Sequence, residues 1–188
     1  MKIVTLLGSP RTKGISSTIA NRITATAATL GAQTRAFELN CLTYRGCQAC
    51  YACKTGHDSC VIRDDLAEVL AAVKEADLVV LASPIYYGEI SSQLKGFLDR
   101  TFSYLVPDYR TNPNPSRLTP KKMIIALAQG NPDEALFDIF PHYESFLKWQ
   151  GFTDIRLVRA CSVGPGNVEE VPEAVLRQAE ETVRQLMS

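Results

Sequence analysis

Three short segments of the chain are apolar at nearly every position, and a turn containing glycine or proline follows each of them. They cover residues 1–7, 78–82 and 123–128. A continuous apolar run of this length is typical of a strand that is buried on both faces, as in a parallel sheet. Residues 34–39 and 155–160 instead alternate apolar and polar side chains, which predicts two strands with less complete cover.

Helical periodicity fills the stretches between these predicted strands. The first helix is predicted at residues 15–30. The second begins at Asp65, which has with Glu68 the spacing of a capping box. The remaining helices are predicted at residues 91–102, 135–149 and 172–187. Pro141 is expected to kink or break the helix in which it lies.

Strands that alternate with helices predict a parallel sheet with right-handed crossover connections. In the flavodoxin-like order 2-1-3-4-5, the second and fifth strands lie at the edges of the sheet. Those are the two strands that alternate here. We therefore predict one α/β domain over residues 1–188, a flavodoxin-like three-layer sandwich around a five-stranded parallel sheet. A six-stranded Rossmann sheet would need a longer chain and a Gly-x-Gly-x-x-Gly turn.

Composition and charge narrow the classes of function. The chain has 188 residues, of which 46% are hydrophobic and 21% charged, as in soluble globular proteins. Lys plus Arg and Asp plus Glu number 20 each, so neither nucleic acid nor membrane is expected as a partner. The first apolar run is too short for a signal peptide, and no run approaches the ~20 apolar residues of a spanning helix. The protein is expected to be cytoplasmic.

The turn after the first predicted strand has the chemistry of a phosphate site. Ligands of such a sheet bind outside the carboxyl ends of the first and third strands, where the strand order reverses. This turn offers the hydroxyls of Ser16, Ser17 and Thr18, backbone N–H groups and the start of a helix, and Arg11 or Lys13 adds a cation. The alternative is that the hydroxyls only cap the helix. The spacing does not fit the Walker loop of an NTPase.

Two further loops at the same edge of the sheet suit a flat ring. Tyr86 or Tyr87 can stack on or edge an isoalloxazine ring, and Gly88 permits close approach of the backbone. The alternative for two loop tyrosines is a surface or interface role. The third loop offers the side chain of Gln129 and the backbone of Gly130 for the polar edge of the ring.

Four of the six cysteines, namely Cys47, Cys50, Cys53 and Cys60, fall within fourteen residues of the loop 41–63 between the second strand and the second helix. In a reducing compartment, such a group more often binds metal or does redox chemistry than forms disulfides. Its Cys-x-x-Cys-x-x-Cys opening is that of the bacterial ferredoxin run, whereas zinc sites usually use two separated Cys-x-x-Cys pairs. The spacing favours an iron–sulfur cluster over zinc. The alternative is that small thiols only pack well in a tight loop.

Three strings of residues resemble a known family. GSPR after the first strand, SPIYYGEISSQLKGFLDR after the third and AQGN after the fourth resemble the NADPH-dependent FMN reductase group of flavodoxin-like proteins. The resemblance covers nearly the whole chain and implies FMN as cofactor. Many relatives have Asn where this chain has Ile15, so a contact from that side chain is missing here. The implied phosphate contacts are Ser9, Arg11, Ser16, Ser17 and Thr18, and the implied ring contacts are Pro84, Ile85, Tyr86, Tyr87, Gly88, Gln129 and Gly130.

The cysteine spacing resembles one branch of that family, the iron-sulfur flavoproteins. This resemblance implies that Cys47, Cys50, Cys53 and Cys60 ligate a 4Fe-4S cluster. It also implies homodimers or tetramers in which the cluster of one subunit approaches the FMN of another. The implied electron donor is a ferredoxin-type protein or NAD(P)H.

The expected function is that of an FMN-dependent oxidoreductase that passes electrons between a 4Fe-4S cluster and FMN. The acceptor would be a small molecule such as a quinone or an oxygen species. One alternative is a cluster-free NAD(P)H-dependent FMN, quinone, azo or nitro reductase. The other is an electron carrier like flavodoxin, which the net charge of zero disfavours because flavodoxins are usually strongly acidic.

Several other residues receive less specific predictions. No catalytic side chain is expected, because the chemistry would belong to the flavin. His57 and His142 are expected to lie at the surface or to contact the cofactor-binding residues without touching the cofactor itself. Arg100 is expected to form an ion pair with Asp99 or with a neighbouring subunit. Residues 107–120 hold four prolines and are expected to form a surface loop on the substrate side of the flavin.

Overall fold

The structure, a computed structural model, describes residues 1–166 and 170–188. Within these ranges, strands and helices follow each other in the predicted alternation. The strands are β1 (Lys2–Leu7), β2 (Gln33–Glu38), β3 (Leu78–Tyr86), β4 (Glu89–Ile90), β5 (Lys121–Ala128) and β6 (Phe152–Ala160). The helices are α1 (Ile15–Thr29), α2 (Leu66–Glu75), α3 (Ser92–Arg100), α4 (Ile139–Trp149) and α5 (Glu173–Met187).

In the described part of the chain, five parallel strands form the sheet in the order β2-β1-β3-β5-β6. This confirms the flavodoxin-like 2-1-3-4-5 order. The remaining strand, β4, has two residues and pairs antiparallel with the end of β3, with Tyr86 opposite Glu89. It escaped prediction because two residues are too few to show a periodic pattern.

A helical layer covers each face of the sheet, because alternate residues of the inner strands point to opposite faces. On one face, Leu78 and Val80 of β3 pack with Ile19 of α1 and Val183 of α5. On the other face, Val79 packs in a cluster formed by α2, α3 and α4. Burial of such a side chain contributes about 1.5–3 kcal/mol. The three-layer sandwich is thereby confirmed.

Burial follows the predicted division between inner and edge strands. β1 is buried after its first residue and β3 over its first seven, whereas β2 is buried only at Phe37. β2 and β6 each have a strand on one side only, which explains why their sequences alternate. Among the described helices, none combines the length and the apolar character needed to cross a bilayer.

The predicted capping box at the start of α2 is wrong. The carboxylate of Asp65 accepts a hydrogen bond from the backbone N–H of Thr43, with a donor–acceptor distance of 2.7 Å, and does not cap the helix. The first helical N–H, that of Leu66, donates instead to Asp64 at 3.2 Å. Asp65 is used to fasten the connector from β2, a long-range contact that a local motif does not reveal.

The predicted kink at Pro141 is also wrong. α4 begins at Ile139, so Pro141 lies in its first turn, where a missing N–H costs no helical hydrogen bond. The helix therefore begins about four residues later than predicted. Leu136, just before it, has a positive φ of 60°, which places the chain outside helical geometry there.

Candidate functional site

The turn after β1 is fastened to the neighbouring strand and helix. The N–H of Gly8 donates to the carbonyl of Ala82 at 2.8 Å, and the hydroxyl of Ser91 donates to the carbonyl of Gly8 at 2.7 Å. A Cβ on Gly8 would lie 2.9 Å from the Ala82 carbonyl oxygen, which explains the glycine. The loops after β1 and β3 are thus held side by side, where the strand order reverses.

Helix α1 begins without a side-chain cap. Its N-cap residue is Gly14, whose N–H donates to the carbonyl of Arg11 at 3.0 Å. A Cβ on Gly14 would approach the hydroxyl oxygen of Ser9 to 2.8 Å. The alternative that the loop hydroxyls serve as the N-cap of the helix is therefore wrong, since Gly14 holds that position. An uncapped N-terminus presents N–H groups and a partial positive charge, which suit an anion.

A cleft of about 180 Å³ lies between the loops at this edge of the sheet. Its lining includes seven of the predicted cofactor residues, namely Ser9, Arg11, Ser16, Pro84, Ile85, Tyr86 and Gly130. Arg11 also lines, with Lys13, a smaller hollow of about 150 Å³ beside the start of α1. The cleft thus combines the hydroxyls of Ser9 and Ser16 and the cation of Arg11 with apolar residues at the end of β3.

The other predicted cofactor residues lie outside the lining of the cleft. Ser17 is buried, and its hydroxyl donates to the carbonyl of Arg11 at 3.3 Å. It therefore stabilises the loop from the side that faces away from the cleft. Thr18 is in the first turn of α1, with its N–H bonded to the Gly14 carbonyl. Tyr87 and Gly88 form the tip of the β3–β4 hairpin, beyond the cleft.

Gln129 has its side chain turned into the protein. Its amide nitrogen donates to the carbonyls of Asn131, Pro132 and Ala135 at 3.3, 2.9 and 3.1 Å. Its buried amide oxygen has no partner among the described residues. In this arrangement the side chain holds the third loop in shape, and Gly130 next to it lines the cleft.

The loop after β6 also lines the cleft and escaped prediction. Val163, Gly164 and Pro165 contribute to its wall. A usable signal was present, because the carboxyl end of the fifth parallel strand lies at the same edge of the sheet. The expectation was restricted to the three loops nearest the reversal of strand order. Residues 167–169, further along this loop, lie outside the described ranges.

The β3–β4 hairpin holds Tyr87 in a strained backbone conformation. Tyr87 and Gly88 are the two central residues, with φ of 51° and 82°, as in a type I′ turn. The Tyr87 side chain is fully exposed. A non-glycine residue in the left-handed region costs of the order of 1 kcal/mol, and no packing offsets it here. Such uncompensated strain points to a functional role for the side chain.

Replacing Tyr87 with asparagine is therefore expected to leave the free energy of unfolding of the apoprotein unchanged or to raise it by up to about 1 kcal/mol. Gly88→Ala is the matched variant, and it is expected to lower the free energy by about 1 kcal/mol. Its new methyl would meet only ordinary van der Waals contact, at 3.5 Å from Leu136, so the cost is that of the backbone. Urea denaturation measures both, and a marked loss for Tyr87→Asn would contradict the interpretation.

The four clustered cysteines line one cavity of about 450 Å³. Cys47 and Cys50 are exposed, Cys53 and Cys60 are half-buried, and all are free thiols. Within the described residues, no three metal-binding side chains meet closely enough to share an ion. The thiols thus lie around a common space without converging on one point in it.

The backbone bends sharply between the first three cysteines. Ala49 and Tyr51 have φ of 49° and 56°, both in the left-handed region. Two non-glycine residues in this region so close together are rare and cost free energy. These bends fold the segment back on itself, so that the three cysteines line the same cavity.

Arg100 fastens both ends of the cysteine segment, the part of the connector from Cys47 to Cys60. Its side chain is fully buried and forms an ion pair with Asp64 at 2.8 Å. It also donates to the carbonyl of Arg45 at 3.0 Å and to that of Ile62 at 3.2 Å. The expected pairing of Arg100 with Asp99 is wrong, because Asp99 is exposed on α3 and pairs with Lys95 at 2.6 Å.

Three cationic side chains lie beside the cysteines: Arg100, Lys54 and Arg117, which donates to the Cys53 carbonyl at 3.1 Å. Burial alone would lower the pKa of Arg100, but its hydrogen bond with Asp64 and the charge of Cys60 raise it. Burial lowers the pKa of Lys54, although the nearby charge of Cys53 favours its protonated form. The Lys54 ammonium lies over the ring of Phe102, 4.1 Å from its centroid.

The proline-rich loop lies beside this cavity. Tyr109 lines the cavity wall. Ser116 donates to the carbonyl of Gln150 at 2.6 Å. The loop is thus at the cysteine cavity and not at the cleft, where it was expected. His57 and His142 are both exposed, as expected.

The cleft and the cysteine cavity lie at opposite ends of α3. Ser91, before the helix, contacts the loop of the cleft, and Arg100, its last residue, lines the cavity. Between them, the connector from β2 follows the helix, with the hydroxyl of Tyr44 donating to the Gln93 carbonyl at 2.6 Å. A helix of this length spans roughly 13 Å.

The sheet order, with a cleft at the point where it reverses, defines a flavodoxin-like fold. Residues 1–149 match the NADPH-dependent FMN reductase family. The chain belongs to this family, whose class of chemistry is flavin-dependent oxidoreduction.

The chain is also similar to individual proteins of known name. The chain is 36% identical over 101 residues to an iron-sulfur flavoprotein of Methanocaldococcus jannaschii, an alignment that covers 54% of this chain and 52% of the relative. It thus spans about half the length of the curated relatives it matches. An NAD(P)H:quinone oxidoreductase from Methanothermobacter marburgensis has the same fold, with a TM-score of 0.79 and 19% identity over 100% of this chain and 98% of the other.

A second solved structure bears on the cofactor. An FMN-dependent NADH-azoreductase of Bacillus anthracis, in complex with FMN, gives a TM-score of 0.75 at 16% identity and covers 100% of this chain and 99% of the other. At such low identity the likeness concerns the fold alone. The family assignment itself makes FMN the cofactor expected in this chain.

Proposed function

We propose that this protein is an FMN-dependent oxidoreductase that passes electrons between FMN and a 4Fe-4S cluster bound by Cys47, Cys50, Cys53 and Cys60. One observation carries the proposal: all four thiols line a single cavity beside the buried cation Arg100. A cluster of this type is held by cysteine thiolates and bears negative charge, which a buried guanidinium offsets. The name of the Methanocaldococcus relative agrees with it.

The residues of the cleft fit FMN. The uncapped start of α1 and the cation of Arg11 suit the phosphate, while the hydroxyls of Ser9 and Ser16 lie nearby as hydrogen-bonding groups. Pro84 and Ile85 offer an apolar wall for the ring. FMN, when bound, supplies hydride and one-electron chemistry, and the chain supplies orientation and the surroundings that set its potential.

The residues of the cavity fit a cluster. Four thiolates are the usual ligand set of a 4Fe-4S centre. The backbone bends at Ala49 and Tyr51 fold the first three toward one space, and Arg100 joins the two flanks of the segment. The free thiols suit a reducing compartment, so we place the protein in the cytoplasm.

We further propose a homodimer or tetramer as the working form. The cleft and the cavity of one chain are separated by the length of α3, so a second copy offers a way to bring a cluster close to a flavin. The exposed Tyr87, strained without compensation, is a candidate contact with that copy. A ferredoxin-type protein or NAD(P)H would donate electrons, and a quinone or an oxygen species would accept them.

A second candidate function is a cluster-free NAD(P)H-dependent reductase of quinones or azo compounds. Among the described residues the thiols do not converge on one point, which favours this alternative. The names of two structural neighbours agree with it. In that case the cysteines would be structural.

Anaerobic purification followed by assays of iron, acid-labile sulfide and flavin distinguishes the two functions. The proposed function requires about four irons and four sulfides per FMN. Flavin without iron, even after reconstitution with iron and sulfide, would refute the cluster. Rapid reduction of that flavin by NAD(P)H would then establish the second candidate.

A further inference from the structure

Arg100 has one hydrogen-bond donor left over. Its two terminal nitrogens serve Asp64 and the carbonyls of Arg45 and Ile62. Its Nε is buried and has no partner in the described structure. A buried donor without a partner destabilises the fold, and folded proteins keep few of them. Such a donor on a charged group points to a ligand.

The surroundings of this donor identify the chemistry of the ligand. Arg100 lines the cavity that also holds Cys47, Cys50, Cys53 and Cys60. Two other cations lie nearby. Lys54 donates to the carbonyls of Phe102 and Leu105 at 2.6 and 2.7 Å and also interacts with Cys53, and Arg117 donates to the carbonyls of Cys53 and Ser103 at 3.1 and 2.8 Å. Among the described donors that line the cavity, the Nε of Arg100 is buried and has no partner.

We propose that the Nε–H of Arg100 donates a hydrogen bond to a sulfur atom of the cluster and raises its reduction potential. The inference rests on the proposed function. Reduction adds one negative charge to the cluster, and a nearby cation with an N–H donor stabilises the reduced form more than the oxidised one. Arg100 thus sets the potential of the cluster and also holds the two ends of the cysteine segment together.

Arg100→Lys separates these two roles. Lysine keeps the positive charge and can still pair with Asp64, but it has no Nε–H at this position. We expect the equilibrium constant for reduction of the cluster to fall about tenfold, which is a shift of about 59 mV to more negative potential for a one-electron couple. A redox titration followed by electron paramagnetic resonance measures this shift.

Asp64→Asn is the matched control. It removes the charge that pairs with Arg100 but leaves the Nε–H in place. We expect lower thermal stability and no shift to more negative potential. If Arg100 served only to hold the segment together, both variants would lose stability and the potential of the remaining cluster would not change. That result would overturn the inference.

A measurement on the unmodified protein keeps the test independent of how well the variants fold. Arginine labelled with ¹⁵N is incorporated, and the reduced cluster is examined by pulsed electron paramagnetic resonance. We expect a coupling to a guanidinium nitrogen that is absent in Arg100→Lys. A cluster without this coupling refutes the role of Arg100 alone, whereas a protein that binds no iron refutes the proposed function, and the inference with it.

Discussion

Replacing Cys50 with serine is expected to abolish iron and acid-labile sulfide in the anaerobically purified protein, from about four of each per FMN to nearly none. Cys50 is the central cysteine of the Cys-x-x-Cys-x-x-Cys run, between the two backbone bends at Ala49 and Tyr51. A serine hydroxyl is not ionised near neutral pH and is a poor substitute for a thiolate ligand. Three thiolates leave one iron of the cube without its protein ligand.

FMN content is expected to survive this substitution. The cavity lies at the far end of α3 from the cleft, and sites without shared partners respond to mutation almost independently. Cys50 is exposed, so the loss of its sulfur removes little packing from the core. The visible spectrum should therefore keep its flavin bands while the broad absorption of the cluster disappears.

Cys41→Ser is the matched control for this experiment. Cys41 is likewise exposed and lies just before the cysteine segment, but it does not line the cavity. We expect iron and sulfide to stay at their original levels. Equal loss of iron in both variants would indicate a general effect on the loop, and unchanged iron in Cys50→Ser would exclude Cys50 as a ligand.

The sheet was predictable because its signals are local. The apolar runs of β1, β3 and β5 and the alternation of β2 and β6 reflect how many neighbours each strand has, and this was enough to choose the strand order. The four cysteines could be grouped for the same reason, since their spacing can be read within one loop and they line one cavity, while their role as cluster ligands stays a prediction. The strand pattern was therefore recovered, whereas the capping box at Asp65 and the kink at Pro141, which are equally local, were not.

Long-range contacts account for most of what was missed. Arg100 pairs with Asp64, 36 residues earlier, because the connector from β2 lies along α3, and no local spacing indicates this. Asp65 has the position of a cap but bonds to Thr43, which the same connector brings near. In both cases a polar side chain serves the tertiary path of the cysteine segment, and a motif near it in sequence gave the wrong partner.

The cleft and the cysteine cavity are held in place by different kinds of contact. The cleft is built from turns that directly follow strands, so the sheet fixes their positions. The cavity is built from a long connector, and only side-chain contacts such as those of Arg100 and Tyr44 hold it to the helical layer. Changes in the connector are therefore expected to affect the cluster while leaving the flavin site intact.

Arg11→Glu is expected to weaken FMN binding about 100-fold. Arg11 is exposed in the unliganded protein, lines the cleft and lies next to the uncapped start of α1. Its loss removes a charge-assisted hydrogen bond worth about 1.5–3 kcal/mol, and each 1.4 kcal/mol is a factor of ten in affinity. The glutamate adds repulsion of the phosphate. Quenching of flavin fluorescence during titration of the apoprotein measures the dissociation constant.

Arg184→Glu makes the same change of charge far from the cleft. Arg184 is exposed in the last turn of α5, near the amino end of β5, where Lys122 donates to the carbonyl of Leu186. Salt screens charges that are separated by more than about 10 Å, so affinity for FMN should change less than threefold. Equal weakening by both variants would mean that net charge governs binding. A selective effect of Arg11→Glu, which should also diminish for riboflavin because that flavin lacks the phosphate, would locate the phosphate at the start of α1.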